Sequence, residues 1–281
     1  MTFAGCTALE TAPEINATTL AEYCFLETFA YCSSLKTTPK LNYMNLEQGC
    51  YYEMFKECTA LETAPALPAT HLKSVCYYGL FDGCTSLVNP PELPSLEPEY
   101  NCYYRMFRGC TSLVNAPALP ATVLTKTGGA SGCYESMFEN CTSLVTPPAL
   151  PATVLSNGCY NSMFKGCTSL ETAPELPADS LEYYCYEQMF SGCEKLTHAP
   201  VLKAQTLVIH CYYEMFKNCK NLNYVQCRAT DNHEPDGTET NALTDWLYGV
   251  SPTGTFVKKY GFEYLINSPS GIPNGWTVEE I

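Results

Sequence analysis

Apolar and polar positions alternate along this chain in blocks that repeat. In Cys159-Tyr160-x-x-Met163-Phe164-x-x-Cys167 the apolar residues fall at offsets 0, 1, 4, 5 and 8. That spacing lies on one face of an amphipathic helix and predicts a short helix here. The next stretch, Leu170 to Leu176, is short, apolar at intervals and broken by Pro174. It predicts a short strand, with proline tolerated at an edge or bulge. Pro177 and Ala178 then turn the chain, and Leu181 returns to the core before the next helix.

The same block recurs along most of the chain. Cys6, Cys32, Cys58, Cys84 and Cys110 are each 26 residues apart, as are Cys141, Cys167, Cys193 and Cys219. A second series, Cys24 to Cys211, runs eight residues ahead of the first. Phe3, Phe29 and their equivalents to Phe216 keep the same beat, as do Leu9 to Leu222 and Pro13 to Pro200. The single longer step, Cys110 to Cys141, spans 31 residues, and Thr125–Ala130 is expected to loop out there.

One unit of this size cannot bury its apolar face alone, so units must stack. Helices need roughly 8–10 Å between axes, whereas strands need about 4.8 Å. A stack wider on its helix side bends toward its strand side. The fold expected is therefore an α/β repeat solenoid, a curved leucine-rich-repeat-type arc with a concave parallel sheet and convex short helices.

After Asn223 the beat is lost, because Gln226 stands where proline is due. Residues 1–225 are thus read as repeats and 226–281 as a C-terminal capping region. In the latter, Asn241–Tyr248 is expected to be helical, and Thr255–Val257 and Trp276–Val278 to be strands. A cap would cover the last open edge. Met1-Thr2-Phe3 already lies within a repeat, so upstream sequence is expected, either a signal and cap or the rest of a larger protein, with a viral protein that needs no signal as the alternative.

The box Met-Phe-x-Gly-Cys-Thr-Ser-Leu is complete at Met106–Leu113 and Met163–Leu170. It resembles the repeats of BspA-like bacterial surface proteins, over roughly residues 1–225. The repeat here is longer, and Ala-Pro-x-Leu-Pro replaces the family's Ile-rich strand. The resemblance implies a secreted or surface-displayed binding role, often adhesion. It carries over no functional residue, since the matched positions are core positions.

A formal net charge of −14 argues against nucleic acid as partner. It argues equally against an anionic membrane surface, and no apolar run is long enough to insert. Eighteen cysteines suggest a disulfide scaffold at first sight. Cysteines eight apart on a helix, however, are about 12 Å apart along its axis, and those on stacked helices roughly 8–10 Å. Two ladders of buried, reduced thiols are expected instead, with Cys227 outside both. No Cys-x-x-Cys occurs, so no metal or cofactor is expected. The acidic cluster Asp231, Glu234 and Asp236 lacks calcium-loop spacing and reads as solvated.

His71, His198, His210 and His233 show no recurring nucleophile or carboxylate partner, so catalysis is not expected. Two surfaces remain as candidates for a protein or carbohydrate ligand. One is the concave ladder Thr63, Asn89, Asn115, Thr146, Thr172 and His198, one small polar residue per repeat. The other is the convex series Tyr52, Tyr78, Tyr104 and Tyr213, whose rings suit sugar or protein contacts. The expected function is an extracellular, monomeric binding module, with a structural spacer or display element of a cell-surface protein or phage fibre as the alternative.

Overall fold

A computed structural model describes residues 2–124, 132–233, 237–261, 263–264 and 270–281. Among them there is no helix. Strands β1 (Asn45–Leu46) and β2 (His71–Leu72) pair in parallel, Asn45 with His71. Strands β3 (Tyr224–Cys227), β4 (Gly254–Lys258) and β5 (Trp276–Glu280) form a parallel sheet in that order. Elsewhere neighbouring repeats touch through single parallel bridges such as Thr63 to Asn89 and Asn115 to Thr146. Proline once in every repeat and twice in most, as at Pro174 and Pro177, removes N–H donors that a longer ladder needs. The expected α/β arc with convex helices is thus corrected to a helix-free stack of rungs.

The segments expected to be helical are runs of overlapping β-turns. In Gly49–Cys58, alternate amides bond within the rung: Met54 N–H donates to the Tyr51 carbonyl at 3.2 Å and Lys56 N–H to Glu53 at 3.2 Å. The intervening amides reach the next rung: Tyr51 donates to Cys76 at 3.1 Å, Glu53 to Tyr78 at 2.8 Å and Phe55 to Leu80 at 3.0 Å. Every amide of the run is satisfied, which a buried backbone requires. Every fourth residue has a positive φ, as at Gly49, Glu53 and Glu57 or Asn101, Arg105 and Gly109. The run therefore has a period of four, two residues in and two out. Offsets 0, 1, 4, 5 and 8 satisfy both this period and a short helix, so the apolar pattern alone did not separate them.

Turn runs bonded directly to one another stack at about the strand spacing of 4.8 Å, not at helix spacing. The width difference expected to bend the stack is then missing, and the terms concave and convex lose their physical basis. The two long faces are better called the turn face and the bridge face.

The core is a set of columns, one residue per rung. Phe29, Phe55, Phe81 and Phe107 are buried and stack with ring centroids 5.7–5.8 Å apart and planes within 9°. Tyr51, Tyr77, Tyr103 and Tyr134 form a second buried stack. Leucines such as Leu113, Leu119 and Leu124 fill the remainder.

The thiols occupy two corners of each rung. Cys58 Sγ donates to the Phe29 carbonyl at 3.2 Å, and Cys76 Sγ to the Glu47 carbonyl at 3.2 Å. Phe29 C=O already accepts from the Cys32 amide, so the thiol fills its second lone pair. All the cysteines are free, and all except Cys6 and Cys24 are buried, which corrects the expectation for those two. At a rung spacing of about 4.8 Å, neighbouring cysteines come within the Cα separation of a disulfide, so the distance argument against pairing, built on helix spacing, does not hold. Burial pushes Cys58 up to about 12, which keeps the thiol protonated and unreactive.

The carboxyl-terminal stretch continues the stack. Asn241–Tyr248, expected to be helical, is another turn run, with positive φ at Asn241, Asp245 and Gly249. It accepts from the preceding run, as where Phe216 N–H meets the Trp246 carbonyl at 2.9 Å. β4 and β5 contain the two strands expected there, in register with β3 through Val225–Phe256–Val278. The expected loop at Thr125–Ala130, and Glu234 and Asp236 of the acidic cluster, lie outside the described residues.

Candidate functional site

On the bridge face the residue two after each box leucine points outward, while the leucine itself is buried in the core. Thr63, Asn89, Asn115, Thr146, Thr172 and His198 are all exposed. Single bridges hold Thr63 opposite Asn89 and Asn115 opposite Thr146. The Asn89 Nδ2 amide donates to Thr63 Oγ1 at 3.1 Å. His198 lies beside Tyr224, with ring centroids 5.5 Å apart, and its Nδ1 is 3.0 Å from Thr197 Oγ1. The ladder is thus in register, with polar groups free on its solvent side. Val88 and Val114, one residue earlier, are 44% exposed and give it an apolar flank.

Thr146 and Thr172 line an open hollow of about 470 Å³. Its other walls are Pro147, Pro148, Pro151, Pro174 and Pro177, with Glu175 at the rim. The sequence pattern gives Pro174 a strand edge and Pro177 a turn, and neither a binding role. The recurrence of proline at two fixed slots in the five repeats from Pro65 to Pro177 was the available signal, since rigid rings in register make a flat apolar wall.

The tyrosines are arranged differently from expectation. Tyr52, Tyr78 and Tyr104 stack on one another, with centroids 4.3 and 4.5 Å apart and planes tilted by 7° and 21°. The Arg105 guanidinium covers Tyr104 at 4.8 Å. The ring faces, the part that would take a sugar, are therefore turned toward one another along the stack, and burial raises Tyr104 to about 12. Tyr213 stands apart from these three, 4.7 Å from the His210 ring. The structure does not bring the four tyrosines into one surface.

A second hollow, of about 610 Å³, lies at the corner holding β1 and β2. Asn45, Glu47, His71, Lys73, Leu96 and Glu99 line it, and Lys73 is ion-paired with Glu47. Among the described residues no group of three or more His, Cys, Asp or Glu is placed to hold a metal ion. Among them, too, no helix is long and apolar enough to cross a membrane. No family model matches the chain, and no curated protein matches it.

Proposed function

We propose that this chain is a non-catalytic binding module, displayed outside the cell, that presents its bridge face to a protein or glycan. The observation that carries this reading is the in-register ladder of exposed Thr, Asn and His beside the proline-walled hollow at Thr146 and Thr172. Fixed backbone hydrogen bonds hold the ladder in place, so little ordering is lost on binding. The apolar wall with a few polar groups matches the general make-up of ligand clefts. The resemblance of the repeat box to bacterial surface repeats points the same way.

The test is a glycan and matrix-protein array, followed by titration of any hit. Saturable binding that is lost in the combined variant Thr146→Lys, Thr172→Lys, His198→Lys, with the fold intact, supports the module. Binding that survives the triple change refutes the assigned surface. A second reading, a rigid spacer, is favoured by the continuous rung-to-rung hydrogen bonding of the turn face. It predicts no hit on either array.

A further inference from the structure

Charged side chains on adjacent rungs of this protein usually face opposite charges. Lys36 pairs with Glu10 at 3.1 Å, Arg108 with Asp82 at 2.7 Å and Lys220 with Glu194 at 2.6 Å, each one rung apart. One cationic cluster departs from this pattern. Leu202 bridges Cys227, and Cys227 pairs with Lys258, so the residues that follow them, Lys203, Arg228 and Lys259, are equivalent positions on three successive rungs. Three cations therefore stand side by side in a chain whose net charge is −14. Like charges directly opposite one another across a parallel ladder are destabilising.

These cations do not neutralise themselves on nearby acids. Among the described residues none of the three makes an ion pair. Lys259 Nζ instead donates to the neutral Gln205 Oε1 at 3.2 Å. Together Lys203, Arg228, Lys259 and Gln205 line an open hollow of about 430 Å³ with Pro177, Asp179 and Ile281, so the cations outnumber the one acidic side chain there. Pro177 also lines the proline-walled hollow at Thr146 and Thr172, so the two recesses adjoin at this residue.

We propose that Lys203, Arg228 and Lys259 form a site for an acidic oligosaccharide, whose carboxylate or sulfate groups neutralise the cation ladder. The proposal deepens the binding-module reading and rests on it for the ligand class. A short anion fits better than a long one. The ladder covers three rungs, about 10 Å at strand spacing, and the surrounding acidic surface repels a polyanion that runs past it. Sugar hydroxyls find partners in the Gln205 amide and in the rim carboxylate of Asp179.

The test uses the full chain and isothermal titration at near-physiological salt. The probes are a sulfated tetrasaccharide, a hexuronate tetramer, their neutral counterpart, inorganic sulfate and a short DNA oligonucleotide of matched charge. The expected result is saturable binding of one or both acidic sugars, at least tenfold tighter than the neutral sugar. Loss of one charge-assisted contact weakens binding by about tenfold, so Lys203→Gln with Lys259→Gln should weaken it by about a hundredfold. Lys36→Gln with Lys220→Gln, at ion-paired sites, should leave it unchanged. The ladder variant should also unfold at a higher temperature than the parent at low salt, because it relieves repulsion, and this shows that it is folded.

Equal binding of neutral and acidic sugars, or an unchanged affinity in the ladder variant, overturns the proposal. So does DNA binding as tightly as the sugars, or inorganic sulfate competing at equal concentration. The two readings fail separately. An array hit lost in the Thr146, Thr172 and His198 variant, with no acidic preference, removes the cation site and keeps the module. Acidic binding lost only in the lysine variant removes the Thr ladder and keeps the cation site.

Discussion

Replacing Gly109 by alanine distinguishes the turn run from a helix by the sign of the effect. Gly109 sits between Phe107 and Cys110, within the segment whose apolar pattern suits a helix. In a helix interior, alanine is favoured over glycine by about 0.8–1.0 kcal/mol. In the structure Gly109 has φ of 71°. A Cβ placed there meets only Gly83 backbone atoms, at 3.7 and 3.8 Å, which is ordinary contact. Space is therefore not the issue, and the cost is the left-handed backbone itself, roughly 1–2 kcal/mol for an L-residue. Gly109→Ala should lower the unfolding free energy by about that amount. The reverse change, Ser136→Gly, at a φ of 53°, should recover up to about 1 kcal/mol, since relief of the backbone exceeds the entropy that glycine loses. Urea unfolding followed by circular dichroism reads both as shifts in midpoint at constant slope. A Gly109→Ala protein more stable than its parent would refute the turn-run backbone.

Three further outcomes follow from buried and half-buried groups. The Tyr103 hydroxyl is buried without a hydrogen-bond partner; Tyr103→Phe removes an unsatisfied group worth about 1–3 kcal/mol and should raise the thermal midpoint. Glu135 is pushed up to about 7, first by burial and then by Glu187 and Glu139, against the pull of Arg105 and the Gly132 backbone. The folded state then holds a proton that the unfolded state has already released above about 4.5, so stability should fall as pH rises from about 4.5 to 7. At about 1.4 kcal/mol per unit the loss is at most about 3 kcal/mol, and a pH series of melts on Glu135→Gln should lack it. Cys24 is exposed, and its thiol is held down at about 7, chiefly by a hydrogen bond with Cys50. Brief alkylation at pH 7.5 with peptide mapping should mark it well before Cys84 or Cys167, which burial pushes far up; equal labelling of all three would contradict the buried columns.

Much of the architecture is legible in the amino-acid order, because burial repeats at fixed slots. Leu113, Phe107, Cys110 and Tyr103 are identifiable as core from their recurrence, and each is buried. The exposed ladder from Thr63 to His198 is legible for the complementary reason: it sits beside leucines that must turn inward. Backbone conformation is not legible from the same signal. A nine-residue stretch holds about two and a half turns of helix, too few for a period of 3.6 to drift clearly from a period of four. Residues such as Glu53 and Tyr31, at φ of 49° and 63°, have no sequence mark of left-handed geometry. Only the glycines before the box cysteine hint at it, and a glycine near a helix end has the same look.

The cation ladder was hidden for a different reason. Lys203 belongs to a repeat of ordinary length, but Arg228 and Lys259 fall where the chain changes its step. From Cys227 to its partner Lys258 is 31 residues, and from Lys258 to Glu280 is 22. With Gln226 in the proline slot, the rung count cannot be carried past Asn223 by spacing alone. What restores the register is pairing geometry, Val225 to Phe256 and Phe256 to Val278. Once the columns are aligned, the logic of the surface changes. A core column is held by packing and by two hydrogen bonds on one carbonyl, so its residue type is constrained. An outward column carries no such constraint, and its charges can be read down the stack as a linear pattern. Where that pattern alternates, as at Glu10 and Lys36 or Glu194 and Lys220, the protein neutralises itself. Where it repeats one sign on three rungs, as at Lys203, Arg228 and Lys259, the protein leaves a countercharge for the proposed acidic sugar to supply.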